Sequence, residues 1–169
     1  MRTLLRSLIL TLLVFFAFQA PALASEAGTY ITSDENRNGE ITVYSPLAYN
    51  GDLRTAMSRW NALPGPAPKF RFVKLRSDAE LVVWKKQKND CWNGMLFHPG
   101  PDEIWLAAGC SAWVKPALHE LGHALGVEHL PCTPYWQQRT VMVSSPKGCD
   151  VKLAAPGASD RAYYSSPGW

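Results

Sequence analysis

No two cysteines in this chain stand at C-x-x-C spacing, no segment repeats, and no low-complexity run or linker divides the chain beyond its first two dozen residues. The first absence argues against a cysteine-built zinc site. The others exclude a solenoid and a string of domains. Histidine is scarce, with four in 169 residues, so where they fall carries information. A large excess of one charge is also missing. The first 24 residues hold two of the 17 basic side chains and none of the 14 acidic ones, so the formal charge of the remainder falls from +3 to +1. Nothing electrostatic calls for nucleic acid or an anionic membrane as a partner.

What is present begins with a leader. Arg2 and Arg6 precede an apolar run from Leu8 to Phe18, and Ala22-Leu23-Ala24 is a small-residue cleavage pattern. The run is short of the roughly 20 residues that span a bilayer. Residues 1–24 therefore read as a secretory signal peptide, with no stable membrane insertion after its removal. The expected product is secreted, extracellular or periplasmic, and runs from 25 to 169. Those 145 residues suffice for one domain with a proper core. Cys91, Cys110, Cys132 and Cys149 all lie in the exported part, where disulfides persist. Three pairings are possible. The expected one is Cys91–Cys110 with Cys132–Cys149, because each closes a modest loop on one side of the main histidine cluster, worth about 3 kcal/mol by loop entropy.

The elements follow from local pattern. Glu40 to Tyr44 alternates and stops at Pro46, as a strand does. Leu53, Ala56, Met57 and Trp60 recur at helical spacing, with Asp52 as the expected cap and Pro64-Gly65-Pro66 as the stop. Lys69 to Val73, Ala79 to Trp84 and Glu103 to Ala107 read as further strands, and Met95-Leu96-Phe97 as a short apolar run. A helix is expected from about Val114 or Pro116 to Leu125, with proline in its first turn. Ser159 to Tyr164 reads as a short closing helix that starts with Ser159 as its cap.

Three of the four histidines fall within His119-Glu120-Leu121-Gly122-His123-Ala124-Leu125-Gly126-Val127-Glu128-His129. Positions four apart on a helix lie one above the other, about 6 Å apart, so His119 and His123 can share one metal ion. Glu120 projects from the same turn, where its carboxylate reaches a water on that metal without ligating. Gly126 suits a left-handed helix end that turns the chain back and delivers His129. Three neutral imidazoles with an open fourth position suit a catalytic Zn²⁺, which lowers the pKa of its water to about 7 and polarises a carbonyl. Packing alone gives no reason for three histidines at this spacing. Glu128 reads as a solvated carboxylate, and His98, beside Pro99-Gly100, as a loop residue.

The H-E-x-x-H-x-x-G-x-x-H string followed by a methionine turn marks the metzincin zinc proteases. The chain resembles that clan, most closely its matrixin-like members, over roughly Ile41 to Tyr164. Trp60, Pro64 and the Phe70 strand resemble the family's first helix and second strand. Ala79-Glu80-Leu81-Val82-Val83 resembles its third strand, Gly94-Met95-Leu96-Phe97-His98 its edge strand, and Thr140-Val141-Met142-Val143 its methionine turn. The resemblance implies an α+β, metzincin-like zincin fold: a twisted mixed sheet of four to five strands, an early helix, an active-site helix and a short C-terminal helix. It also implies His119, His123 and His129 as zinc ligands, Glu120 as general base and Met142 as the methionine of the turn. Met95, Leu96, Phe97 and His98 would line the substrate cleft, pairing with an extended peptide.

Departures shape the remaining expectations. Leu130 follows the third histidine, where matrixins usually have serine and astacins glutamate. No acidic loop or His-x-Asp pattern is present, so one catalytic zinc is expected and calcium is not. Ser25 to Asn38 is too short and cysteine-free to be a zinc-blocking propeptide, so control would need a separate inhibitor. No tyrosine follows Met142 at the spacing of an oxyanion donor. The resulting expectation is a monomeric, secreted zinc endopeptidase acting on protein or peptide substrates. The rivals are a zinc-containing protease-like binding protein without turnover, and a peptidase of cell-wall or small peptides.

Overall fold

The computed structural model describes residues 39–46, 50–86, 95–97, 102–107, 114–143 and 153–165. The expected signal peptide, His98, and Cys91, Cys110 and Cys149 lie outside the described residues. Five strands form one sheet: β1 (Glu40–Tyr44), β2 (Lys69–Phe72), β3 (Leu81–Lys86), β4 (Met95–Phe97) and β5 (Asp102–Ala107), in the order β2-β1-β3-β5-β4. The first four positions run parallel, and β4 is an antiparallel edge, with Leu96 opposite Ile104. Helices α1 (Asn50–Asn61), α2 (Val114–Ala124), α3 (Pro134–Gln137) and α4 (Ala158–Tyr164) complete the order. The expected mixed sheet, early helix, motif helix and closing helix are all present. Among the described residues no helix is long and apolar enough to cross a membrane.

Burial explains the arrangement. β3 occupies the centre of the sheet, and Leu81, Val82 and Val83 are all fully buried, as a parallel strand covered on both faces requires. Ile41 and Val43 of β1 alternate into the same core as Phe70, Ile104 and Leu106. On α1, Leu53, Ala56, Met57 and Trp60 form one buried stripe facing α2. Each large side chain of that stripe stabilises by roughly 1.5–3 kcal/mol through burial.

Three boundaries differ from the sequence expectation, each for a local reason. α1 starts at Asn50, which leaves Asp52 inside its first turn and not at the cap. β3 begins at Leu81, two residues late. There the Glu80 carboxylate accepts from the Thr42 N–H at 2.6 Å and from its hydroxyl at 2.9 Å, and so stands in for a ladder partner. α4 is capped at Gly157, leaving Ser159 in the first turn, because the Asp160 carboxylate folds back to accept the Gly157 N–H at 2.7 Å. A Cβ at position 157 would overlap the Arg139 carbonyl.

One edge of the sheet is shut. The Asn61 side chain donates to the Phe70 carbonyl and accepts the Phe70 N–H, both at 2.8 Å, on the side of β2 away from β1. An amide thus occupies the place of a further strand.

Candidate metal centre

Helix α2 buries Ala117, Leu118, Leu121 and Ala124 and turns His119 and His123 away from that core. Its end is a Schellman turn. Gly126 sits at φ 75°, its N–H donates to the His123 carbonyl at 2.8 Å, and the Val127 N–H reaches the Gly122 carbonyl at 2.9 Å. The reversal brings His129 back alongside the helix. Leu130 fixes the returning strand, pairing with Val143 and donating its N–H to the Met142 carbonyl at 2.8 Å.

The three imidazoles converge. Nε2 of His129 lies 2.9 Å from Nε2 of His119 and 3.0 Å from Nε2 of His123, and the ligating atoms all lie within 4.8 Å of one another. Two Nδ1 atoms face carbonyls, His119 on Val141 and His123 on Val127, each at 2.8 Å. A carbonyl only accepts, so both Nδ1 atoms carry the proton and both Nε2 atoms present lone pairs inward. Nε2 of His129 faces both lone pairs, in a place that a proton on His129 or a shared cation fills. The donor set therefore fits a metal ion of the kind imidazole prefers.

Burial disfavours the charged imidazolium. It lowers His119 to about 4, against the Val141 hydrogen bond that favours the proton. His123 is lowered to about 3, first by burial and then by the positive charge of its two neighbours. His129 is lowered too, again by burial. All three are neutral ligands at neutral pH. Glu120 is buried beside them, and desolvation raises its carboxyl to about 8.

Beneath the turn of α2 that carries both histidines lies Met142, fully buried, with its sulfur against Gly122. Trp60 closes the same spot, its ring against Gly122 and its Nε1 donating to the Leu118 carbonyl at 2.9 Å. Gly122 is thus required by close approach, since a Cβ there would overlap the Met142 sulfur. Gly122→Ala is expected to destabilise by about 1–3 kcal/mol through overpacking. A native urea midpoint in that variant would refute the tight contact.

Sequence reasoning missed the support under Met142. Asp160, 1% exposed, accepts from the Thr140 hydroxyl, from the Val141 N–H at 2.9 Å and from the Gly157 N–H at 2.7 Å. Thr140 Oγ1 in turn accepts the Met142 N–H at 2.9 Å. Burial lifts the Asp160 carboxyl above the usual aspartate range despite those donors. Helix α3 was missed as well; Thr133-Pro134 at its start is a cap followed by an N1 proline, a signal present but short.

Other expectations resolve variously. Met95, Leu96 and Phe97 form the edge strand β4. Glu128 is not simply a solvated carboxylate: its Oε1 is buried without a hydrogen-bond partner. The phenols point elsewhere, Tyr163 donating to the Gly126 carbonyl and buried Tyr164 to the Pro68 carbonyl. A cavity of about 470 Å³ lies between the 126–130 loop, α3 and α4, lined by Val127, Leu130, Trp136 and Tyr163 among others; none of the three histidines lines it. Cys132 is disulfide-bonded. Both expected pairings involve cysteines outside the described residues.

Fold and site together define a mixed α/β chain with a parallel-rich sheet and a three-histidine group able to hold a metal ion. No family model matches the chain, and no curated protein matches it. Among solved structures it is similar to high choriolytic enzyme 1, a hatching enzyme zinc-protease from Oryzias latipes (medaka fish). The two share 17% identity over 76% of this chain and 89% of that one, with a TM-score of 0.47.

Proposed function

We propose that the chain is a zinc-dependent endopeptidase of metzincin type. The observation that carries this reading is the inward convergence of three Nε2 atoms, two of them left as lone pairs by Nδ1–H bonds to carbonyls, next to a buried carboxyl. His119, His123 and His129 would hold the ion. A zinc ion held by three imidazoles would keep a position open, where it would acidify water and polarise a carbonyl. Glu120 takes the proton from the attacking water and delivers it to the leaving amine. Met142 and Gly122 hold the floor under His119 and His123. Among the described strands β4 is the outer one, an edge on which an extended peptide would add as a strand, in keeping with an internal scission site.

Secretion belongs to the same proposal and rests on the leader-like pattern of residues 1–24. The matrixin-like assignment within the clan rests on the sequence resemblance alone. The test is incubation of the mature protein with a diverse peptide library, with and without a chelator. Chelator-sensitive internal cleavage is the expected result. Full zinc loading with no cleavage would overturn the endopeptidase reading in favour of a binding protein, and release of only small cell-wall peptides would reassign the substrate.

A further inference from the structure

We infer that Asp160 is a positioning residue for the metal centre, acting on two of its three histidines through the 140–143 segment. The inference deepens the proposed function and rests on its assignment of the histidines. A single carboxylate on α4 secures the Val141 N–H directly and the Met142 N–H through the Thr140 hydroxyl, in a site where Thr140 and Asp160 are both buried. The carbonyls of those same two residues meet the elements that carry His119 and His129. Val141 accepts from His119 Nδ1 at 2.8 Å, and Met142 accepts from the Leu130 N–H at 2.8 Å, one residue beyond His129. A peptide unit is planar and joins the Val141 carbonyl to the Met142 N–H, so holding that N–H through Thr140 restricts the tilt of the Val141 carbonyl and anchors the residue from which the Met142 carbonyl extends.

His123 is independent of this arrangement. Its Nδ1 is held by Val127, inside its own turn. The inference is therefore selective: loss of Asp160 loosens His119 and the His129 strand and leaves His123 as it was. A general loss of packing has no such preference. Groups that orient a metal-bound histidine through its second nitrogen typically change metal affinity 10–100-fold when removed. Asp160 acts one step further back, through the carbonyl that orients His119.

The experiment compares the full mature chain with Asp160→Asn, Thr140→Val and Thr140→Ser. Zinc affinity is read by competition with a chromogenic chelator, and exchange of the His119 and His123 Nδ1–H protons is read by NMR on histidine-labelled protein, with and without zinc. Asp160→Asn and Thr140→Val are expected to weaken zinc binding about 10-fold or more and to speed exchange at His119 but not at His123. Thr140→Ser, which keeps the hydroxyl, is expected to stay near native. Tyr164→Phe removes a buried hydrogen bond to Pro68 on the same helix and serves as the stability control, with native zinc affinity expected. Should Asp160→Asn fail to fold, Thr140→Val decides.

Affinity within twofold of native and unchanged His119 exchange in the folded variants would overturn the inference, as would equal acceleration at His119 and His123. A native chain that takes up no zinc would overturn the proposed function instead. The exchange comparison on the metal-free chain then still decides the role of Asp160.

Discussion

Glu120→Gln is expected to lower peptide turnover roughly 10²–10⁴-fold while zinc content stays native, because glutamine keeps the shape of the side chain and loses only its capacity to carry a proton. The three histidines make up the metal-binding group without Glu120. Its carboxyl lies one residue along α2 from His119 and is 5% exposed. With no metal beside it, desolvation lifts that carboxyl to about 8, so near neutrality it holds its proton. A cation beside it favours the ionised form and turns it into a base. Steady-state kinetics with zinc stoichiometry measured on the same sample decides the matter. Native turnover in the glutamine variant would remove Glu120 from the chemistry.

The second large effect is on the stability of the chelator-treated chain. His119 and His123 fall from 6.5 to about 4 and about 3 on folding, so the unfolded chain binds protons more readily. Their contribution is complete above pH 6.5 and is lost as pH falls toward 4 and 3. Glu120 has the opposite sign. Its folded value is raised from 4.5 to about 8, so the stability it contributes is complete at low pH and is lost as pH rises through that window. Each group changes stability by about 1.4 kcal/mol per pH unit within its window. Between pH 6.5 and 4.5 His119 and His123 oppose Glu120, for a net loss of about 1.4 kcal/mol per unit of acidification, to which the lowered His129 adds in the same direction. Between 6.5 and 8 Glu120 acts alone among these groups and removes about 2 kcal/mol.

Urea unfolding of the metal-free chain is therefore expected to give a stability maximum near pH 6.5. In Glu120→Gln the alkaline decline should vanish and the acid limb should steepen to about 2.8 kcal/mol per unit. Against a total of about 10 kcal/mol, the usual order for a domain, these slopes are large. A flat profile from pH 4.5 to 8 would show that the group is not desolvated as described.

The centre was legible because its chemistry is local. Two histidines four apart, a glycine three residues on and a third histidine three beyond that are tied to one another by helix period and by one left-handed turn. The stripe of α1 was legible for the same reason. Asp160 was not, since its partners lie 19 and 20 residues back in sequence and no periodicity links a carboxylate on one helix to a threonine in a turn. Leu130 was visible only as a departure from the sequences this chain resembles; its role is carried by its backbone, which any residue but proline would supply. The late start of β3 escaped for a similar reason, because the replacement of a ladder bond by the Glu80 carboxylate depends on Thr42, 38 residues away. Helix α3 is four residues long and has no period to detect.

The shut edge at β2 has a consequence for solubility. Sheets grow at unpaired edges, and copies of one protein stick to each other where two such edges meet. Asn61 blocks one of them, so among the described strands growth is left to β4, where the proposed peptide substrate would also lie. A chain with a peptide in its cleft then has neither edge free. Under this arrangement turnover and clumping compete for a single strand, and a bound peptide acts as a solubiliser for as long as it stays.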